Sequence, residues 1–238
     1  WLVYGANYDF SSGCPQEATW IYRHDLETGE LVALARPEKP AYVDLSLNKT
    51  GGQVLYNRKD LDPSGEQLWL TNTDGTDDRE ILNFGPIGKA EGVWAADGRH
   101  IVFTTDMRRG ERLSQKAVGR YSTETAEIEW LVEDPKRSIE YVHCPRQRNV
   151  AVLIEVREAR RKESIIDLDN LEEHRLPELR GTLSLGSPLE GNEWIGLYSS
   201  STQPDELVRF DVTNVDPASF VFITRVWEVT RLRAKDFA

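Results

Sequence analysis

"EGVWAADGRHIVFTTD", residues 91–106, decides the fold. A Trp stands ahead of Asp97-Gly98, a pair suited to a tight turn, and the apolar run Ile101-Val102-Phe103 follows it. The pattern is strand, turn, strand. Runs of the same kind recur at Trp1-Leu2-Val3-Tyr4, Val54-Leu55-Tyr56, Val150–Ile154 and Trp194–Tyr198. Each is short, rich in β-branched or aromatic residues, and bounded by Gly, Asn, Asp or charge.

A second strand ending in a polar turn follows each run: residues 20–30, 68–77, 117–127, 164–173 and 206–214. Aligned on Asp25, Asn72, Ser122, Asp167 and Asp211, these segments repeat in steps of 47, 50, 45 and 44 residues. A third strand comes after each turn (31–35, 79–84, 128–133, 173–178, 220–227), and a further strand precedes the apolar run in all copies but the first (42–48, 91–96, 138–144, 182–188). Four strands per copy at a period of 40–50 residues predict an all-β chain, a β-propeller of four-stranded antiparallel blades. The physical reason is burial. One such sheet cannot hide both faces, whereas blades stacked on each other can. About five blades are expected, roughly 1–36, 41–85, 90–134, 138–179 and 182–227, the first short of its opening strand. Trp69, Trp94, Trp130 and Trp194 fall on strands and are expected to pack between blades, each seeking one acceptor for its N–H. The one stretch with helical character, Val156–Glu163, falls between the second and third strands of its copy and reads as a charged loop or a single helical turn.

Composition narrows the partners. The chain has 238 residues, 29 Lys and Arg against 40 Asp and Glu, and a net charge of −11. Nucleic acid would ask for a basic face, so it is excluded as a partner. No run approaches the ~20 apolar residues of a membrane span. Cys14 and Cys144 are read as unpaired thiols in a reducing, cytoplasmic setting. The chain opens inside a strand-like run, which reads as a piece of a longer protein.

Candidate chemistry is sparse. A hydrolase nucleophile elbow, G-x-S-x-G, does not occur; Gly181–Gly186 has the wrong spacing and reads as a strand. His24, His100, His143 and His174 stand beside no motif. Asp60–Gly65 matches the first half of a calcium loop, but its twelfth position is Thr71 rather than Glu, so it reads as a polar turn. Asp74, Asp77 and Asp78 read as a solvated hairpin tip. Asn48-Lys49-Thr50 is a glycosylation sequon, read as a chance match. No catalytic residue, metal ligand or cofactor site is predicted. Among the charged clusters, Arg157, Arg160 and Arg161 are the candidates for contact with a partner domain or a peptide carboxylate.

The blade grammar W-x-x-D-G-x-x-I-x-F resembles the repeats of the prolyl oligopeptidase family and of Tol-type periplasmic propellers. The stretches WLVYGANYDF (1–10), TWIYRHDLETGE (19–30), LARPEKPAYVDLSLNKTG (34–51), VLYNRKDLDPSGEQLWL (54–70) and REILNFG (79–85) are similar to the propeller of the acylaminoacyl-peptidase and dipeptidyl-peptidase-like members of that family. The tail ITRVWEVTRLRAKDFA (223–238) resembles the connector, here 228–238, that leads on to an α/β-hydrolase domain. The resemblance implies a non-catalytic propeller that caps a serine-hydrolase active site and gates peptides by size and rim contacts. Its partners would be peptide substrates and the hydrolase domain of the same parent. A stand-alone propeller scaffold for protein–protein interaction is the alternative. A propeller enzyme with its site in the central channel is a third class, and it would need His or carboxylates converging on the innermost strands.

Overall fold

The computed structural model describes residues 1–39, 41–108, 110–158 and 160–225. Their regular structure is all strand apart from one 3-10 turn, Pro217–Ser219. The first sheet holds three strands in sequence order: β1 (Leu2–Asp9), β2 (Cys14–His24) and β3 (Leu31–Ala35). Four sheets of four strands follow. They are β4 (Ala41–Leu47), β5 (Gln53–Asp60), β6 (Glu66–Asn72) and β7 (Arg79–Leu82); then β8 (Ala90–Trp94), β9 (His100–Arg108), β10 (Glu111–Ser122) and β11 (Ile128–Val132). Next come β12 (Ile139–His143), β13 (Val150–Arg157), β14 (Arg160–Asp167) and β15 (Glu173–Arg175), then β16 (Thr182–Pro188), β17 (Glu193–Ser200), β18 (Gln203–Asp211) and β19 (Val221–Phe222). Every sheet is an antiparallel meander, and the first lacks the strand that opens the others.

The alignment residues of the repeat turn out to be the groups that fold its turns. The Asp25 carboxylate accepts the N–H of Glu27 and of Thr28, both at 2.9 Å. Asp167 does the same for Asp169 and Asn170, and Asp211 for Thr213. Ser122 Oγ accepts from Thr125, while Asn72 donates to Thr76 Oγ1. In four of the five a short polar side chain bonds to backbone two or three residues on, which closes a tight turn and tells the strand to stop.

Two compact units divide the chain at Lys136/Arg137. Within the first, Ile21, Leu34, Val54 and Tyr56 bury the facing surfaces of the first two blades. Leu55, Leu68, Leu70, Trp94, Ile101 and Phe103 do so for the second and third. Gly92 marks how close that second contact is, for a Cβ there would lie 2.7 Å from Leu68 Cδ1. Within the second unit, Val152 and Ile165 of one blade pack with Leu183, Trp194, Val208 and Phe210 of the next. Trp194 is fully buried; Trp69 stacks on Tyr56 and Trp130 meets Phe103 edge-on. Among the described residues the indole N–H groups of Trp69, Trp94 and Trp194 find no acceptor, contrary to expectation. The large apolar area each ring buries outweighs one unmade hydrogen bond.

Arg137 opens the second unit with a polar core of its own. Its side chain is 8% exposed, and its Nε donates to Glu155 at 3.0 Å. Both terminal nitrogens donate to Glu173, at 2.9 and 2.8 Å. Ser164 Oγ completes Glu173 at 2.7 Å. Burial alone would raise the Glu173 carboxyl, but the bonds from Arg137 and Ser164 carry it below its ordinary value. The network ties the chain entering the fourth blade to three of that blade's strands.

Two sequence expectations need correction. Val156–Glu163 is neither loop nor helical turn: β13 and β14 run through it as one hairpin, with Arg157 opposite Arg160 and Glu155 opposite Lys162. Glu158 takes the left-handed conformation at φ 53° that lets the chain reverse there. Second, the closing strands of the last two blades are shorter than predicted, at three and two residues. Pro177 follows β15 closely and has no N–H to extend a ladder. The expected connector, 228–238, lies outside the described residues, as do 226 and 227 at the end of the fifth predicted blade.

Candidate functional site

The β13–β14 hairpin begins as core and ends as surface. Val150, Ala151, Val152 and Leu153 are buried, while Val156 and Arg157 are exposed. Toward its tip the hairpin is exposed, so charge replaces hydrophobicity. On the return strand burial resumes at Glu163, whose side chain is fully covered. Arg161 donates to Glu163 Oε1 from Nε at 2.7 Å, and the backbone N–H of Leu185 donates to Oε2 at 2.6 Å. Burial pushes the Glu163 carboxyl up; the Leu185 N–H and the Arg161 guanidinium oppose it. This carboxylate joins β14 of the fourth blade to β16 of the fifth.

A cavity of about 280 Å³ opens beside that joint. Three segments build it: Arg160–Glu163 of β14, the connection 176–181 that leads from β15 to β16, and Ser199–Ser201 at the β17–β18 turn. The connection is held close by Gly181, where a Cβ would stand 2.2 Å from the Ser199 carbonyl oxygen. Leu176, Pro177, Leu179 and Leu183 give the cavity an apolar side. Arg160, Arg161, Lys162 and Arg180 bring four positive charges against the two of Glu163 and Glu178. Arg161 is committed to Glu163 and Lys162 to Glu178. Arg160 acts on Glu178 only as a more distant charge, and among the described residues neither it nor Arg180 makes an ion pair. Chemically, the cavity offers guanidinium and hydroxyl donors next to an apolar wall.

Of the three arginines singled out from sequence, Arg160 and Arg161 line this cavity and Arg157 does not. Arg180 and the three serines gave no signal, since segments from two blades meet here with no fixed spacing between them. The other sequence candidates have local duties. Asp60 holds Arg58 and Gln67. Asp74 caps its turn through Thr76, Asp77 pairs with Arg79, and Asp78 accepts the Tyr56 hydroxyl at 2.7 Å. Burial lifts both members of that last pair, the Asp78 carboxyl and the Tyr56 phenol, above their ordinary values. Asn48 is 6% exposed, its side-chain oxygen accepting from the Gln53 N–H and the Thr50 hydroxyl, so the sequon Asn serves its own turn. His100 Nδ1 hydrogen-bonds the Asp97 carboxylate at 2.6 Å, and His174 Nε2 lies 2.9 Å from the Val212 carbonyl oxygen. Cys14 and Cys144 are free thiols. Among the described residues no group of His, Cys, Asp and Glu could hold a metal ion.

No protein-family model and no curated protein matches the chain. Solved structures do. A prolyl endopeptidase structure matches 87% of this chain at TM-score 0.65 and 17% identity, the match taking up 30% of that protein. A puromycin hydrolase structure matches 82% at TM-score 0.57 and 17% identity, over 32% of its own length. A putative TolB from Agrobacterium tumefaciens matches 93% at TM-score 0.58 and 11% identity, over 82% of that protein. The fold is the β-propeller. The chain spans less than a third of the length of the puromycin hydrolase and prolyl endopeptidase chains it matches.

Proposed function

We propose that this chain is the non-catalytic propeller domain of a serine peptidase of the prolyl oligopeptidase family. In this reading it caps the active site of an α/β-hydrolase domain in the same cytoplasmic parent and admits peptides by size. The observation that carries it is the match of 87% of this chain to 30% of a prolyl endopeptidase, taken with the family-like stretches over residues 1–85. The study behind that endopeptidase structure concerns inter-domain dynamics in catalysis and specificity, the kind of behaviour a cap would produce. The chain's own residues fit a non-catalytic part: its sequence has no nucleophile elbow, and His100 and His174 are engaged with Asp97 and the Val212 carbonyl oxygen.

The test is hydrolysis of a length series, from an acylated dipeptide anilide to an unfolded protein. The parent polypeptide should cleave the short members and lose at least ~10-fold in kcat/KM toward the long ones, about 1.4 kcal/mol of discrimination. The 238-residue chain alone should cleave none. A parent with no hydrolytic activity, one that cleaves the unfolded protein as readily as the dipeptide, or a chain that is itself a hydrolase would each overturn the reading. A scaffold function is the second reading, favoured by the 82% coverage of the TolB-like protein. It predicts an inert parent that binds a protein partner.

A further inference from the structure

We propose that the cavity between the β13–β14 hairpin, the 176–181 connection and the β17–β18 turn is a recognition site for the C-terminal carboxylate of a short peptide. Carboxylates outnumber basic side chains 40 to 29 in this protein, so a guanidinium has ample choice of partner. Arg160 and Arg180 nevertheless line one cavity without an ion pair. Guanidinium presents a planar fork of donors matched to a carboxylate. Beside it the turn residues Ser199, Ser200 and Ser201 add hydroxyl-bearing lining, the Ser200 Oγ already accepting the Thr202 N–H.

The rest of the wall decides which anion fits. Glu163 and Glu178 already pair with Arg161 and Lys162, leaving an excess of about two positive charges on Arg160 and Arg180. That suits a monoanion and penalises the denser charge of a phosphate. The Leu176, Leu179 and Leu183 side is wasted on an inorganic ion but would take the side chain next to a peptide terminus. A volume of about 280 Å³ lies at the small end of ligand pockets, enough for the last residues of a peptide and no folded partner. Two anchors fix the frame: the buried Glu163 bond to Leu185, and Gly181 against Ser199. The backbone segments that carry the donors are therefore held in place before a ligand arrives. The choice of a peptide rests on the function proposed above; the preference for a carboxylate stands on the cavity.

The experiment is calorimetric titration of the 238-residue chain with N-acetyl-Gly-Leu-Ala as the free acid and as the carboxamide. The acid should bind saturably, the amide at least ~10-fold more weakly, and the acid should weaken as salt rises from low to high ionic strength. The double substitution Arg160→Gln, Arg180→Gln should bring the acid down to the amide while leaving the urea midpoint where it was. Equal binding of acid and amide, no saturable binding, or unchanged binding by the double variant would overturn the site. So would inorganic phosphate that binds in an Arg160- and Arg180-dependent way while the peptide acid does not. Hydrolysis plays no part in the readout, so the two proposals fail separately. A parent that cleaves short peptides while its propeller ignores the carboxylate loses only this site. A propeller that discriminates acid from amide within an inert parent loses only the peptidase.

Discussion

The first and third blades put the same kind of strand in two settings. Register through their neighbours makes Leu2-Val3-Tyr4 of β1 the counterpart of Ile101-Val102-Phe103 of β9: Tyr4 lies opposite Tyr22, and Phe103 opposite Gly119, each three residues before its turn residue, Asp25 or Ser122. The side chains are of similar size and apolarity. Yet all three in β9 are fully buried, while Leu2 is 52% exposed and Val3 and Tyr4 are only partly covered. The difference is the neighbour. β9 lies between β8 and β10; β1 has β2 on one side and no described strand on the other. Apolar pattern tells a segment to be a strand, but adjacent strands and blades decide how much stability it returns.

The largest test of that contrast is truncation at the matched aromatic positions. Phe103→Ala should cost about 3–5 kcal/mol, because its cavity is walled by Phe84, Trp130 and the backbone at Gly119. Tyr4→Ala should cost less, about 1–2 kcal/mol, because its ring is only partly buried, against Tyr22 and Phe10. Urea unfolding of the two variants measures this. Equal losses would mean that β1 is covered along its open edge in solution.

What could be read from sequence follows the same division. Turn residues and apolar runs are local signals, so the period, the strand order and the missing first strand were all legible. Val156–Glu163 was not, because a hairpin exposed toward its tip loses the alternation that marks a strand. Arg160 and Arg161 could be found as a charged cluster, whereas Arg180 and Ser199–Ser201 join them only through the packing of two blades. The Arg137 network was hidden for a like reason: its partners Glu155 and Glu173 are 18 and 36 residues away.

Close approach gives a second, smaller contrast. Gly92 on β8 faces Leu68 of the preceding blade, and an added methyl would also meet Ile101 Cγ2 at 3.0 Å. Gly5 on β1 is exposed, and the atoms nearest a Cβ there would be two side-chain methyls, Thr19 Cγ2 at 2.9 Å and Val43 Cγ2 at 3.5 Å. Gly92→Ala should therefore destabilise by about 1–3 kcal/mol through overpacking, and Gly5→Ala by less than about 1 kcal/mol. Paired urea curves decide it. A neutral Gly92→Ala would show that blades two and three slide apart without penalty.

The smallest effect belongs to the turn between the first two strands of a blade, a feature the first blade lacks. In the third blade Asp97 folds this turn: it accepts from the N–H of Arg99 at 2.8 Å and of His100 at 3.0 Å, and faces the His100 ring. Burial tends to raise its carboxyl, but the His100 ring and the two N–H groups outweigh burial and hold it below the usual carboxylate range. A depressed folded value means stabilisation that is complete above the unfolded value, about 3.9, and is lost as pH falls through the folded one. Asp97→Ala should then cost about 1 kcal/mol at pH 7, the worth of a turn cap. Asp97→Asn should cost less, because its amide oxygen still accepts the two N–H bonds. The gap between wild type and Asp97→Ala, measured by urea unfolding from pH 7 down to about 2.5, should close below about pH 4. A gap that widened on acidification would mean that burial had won, and that the turn is held by a carboxyl that prefers to be neutral.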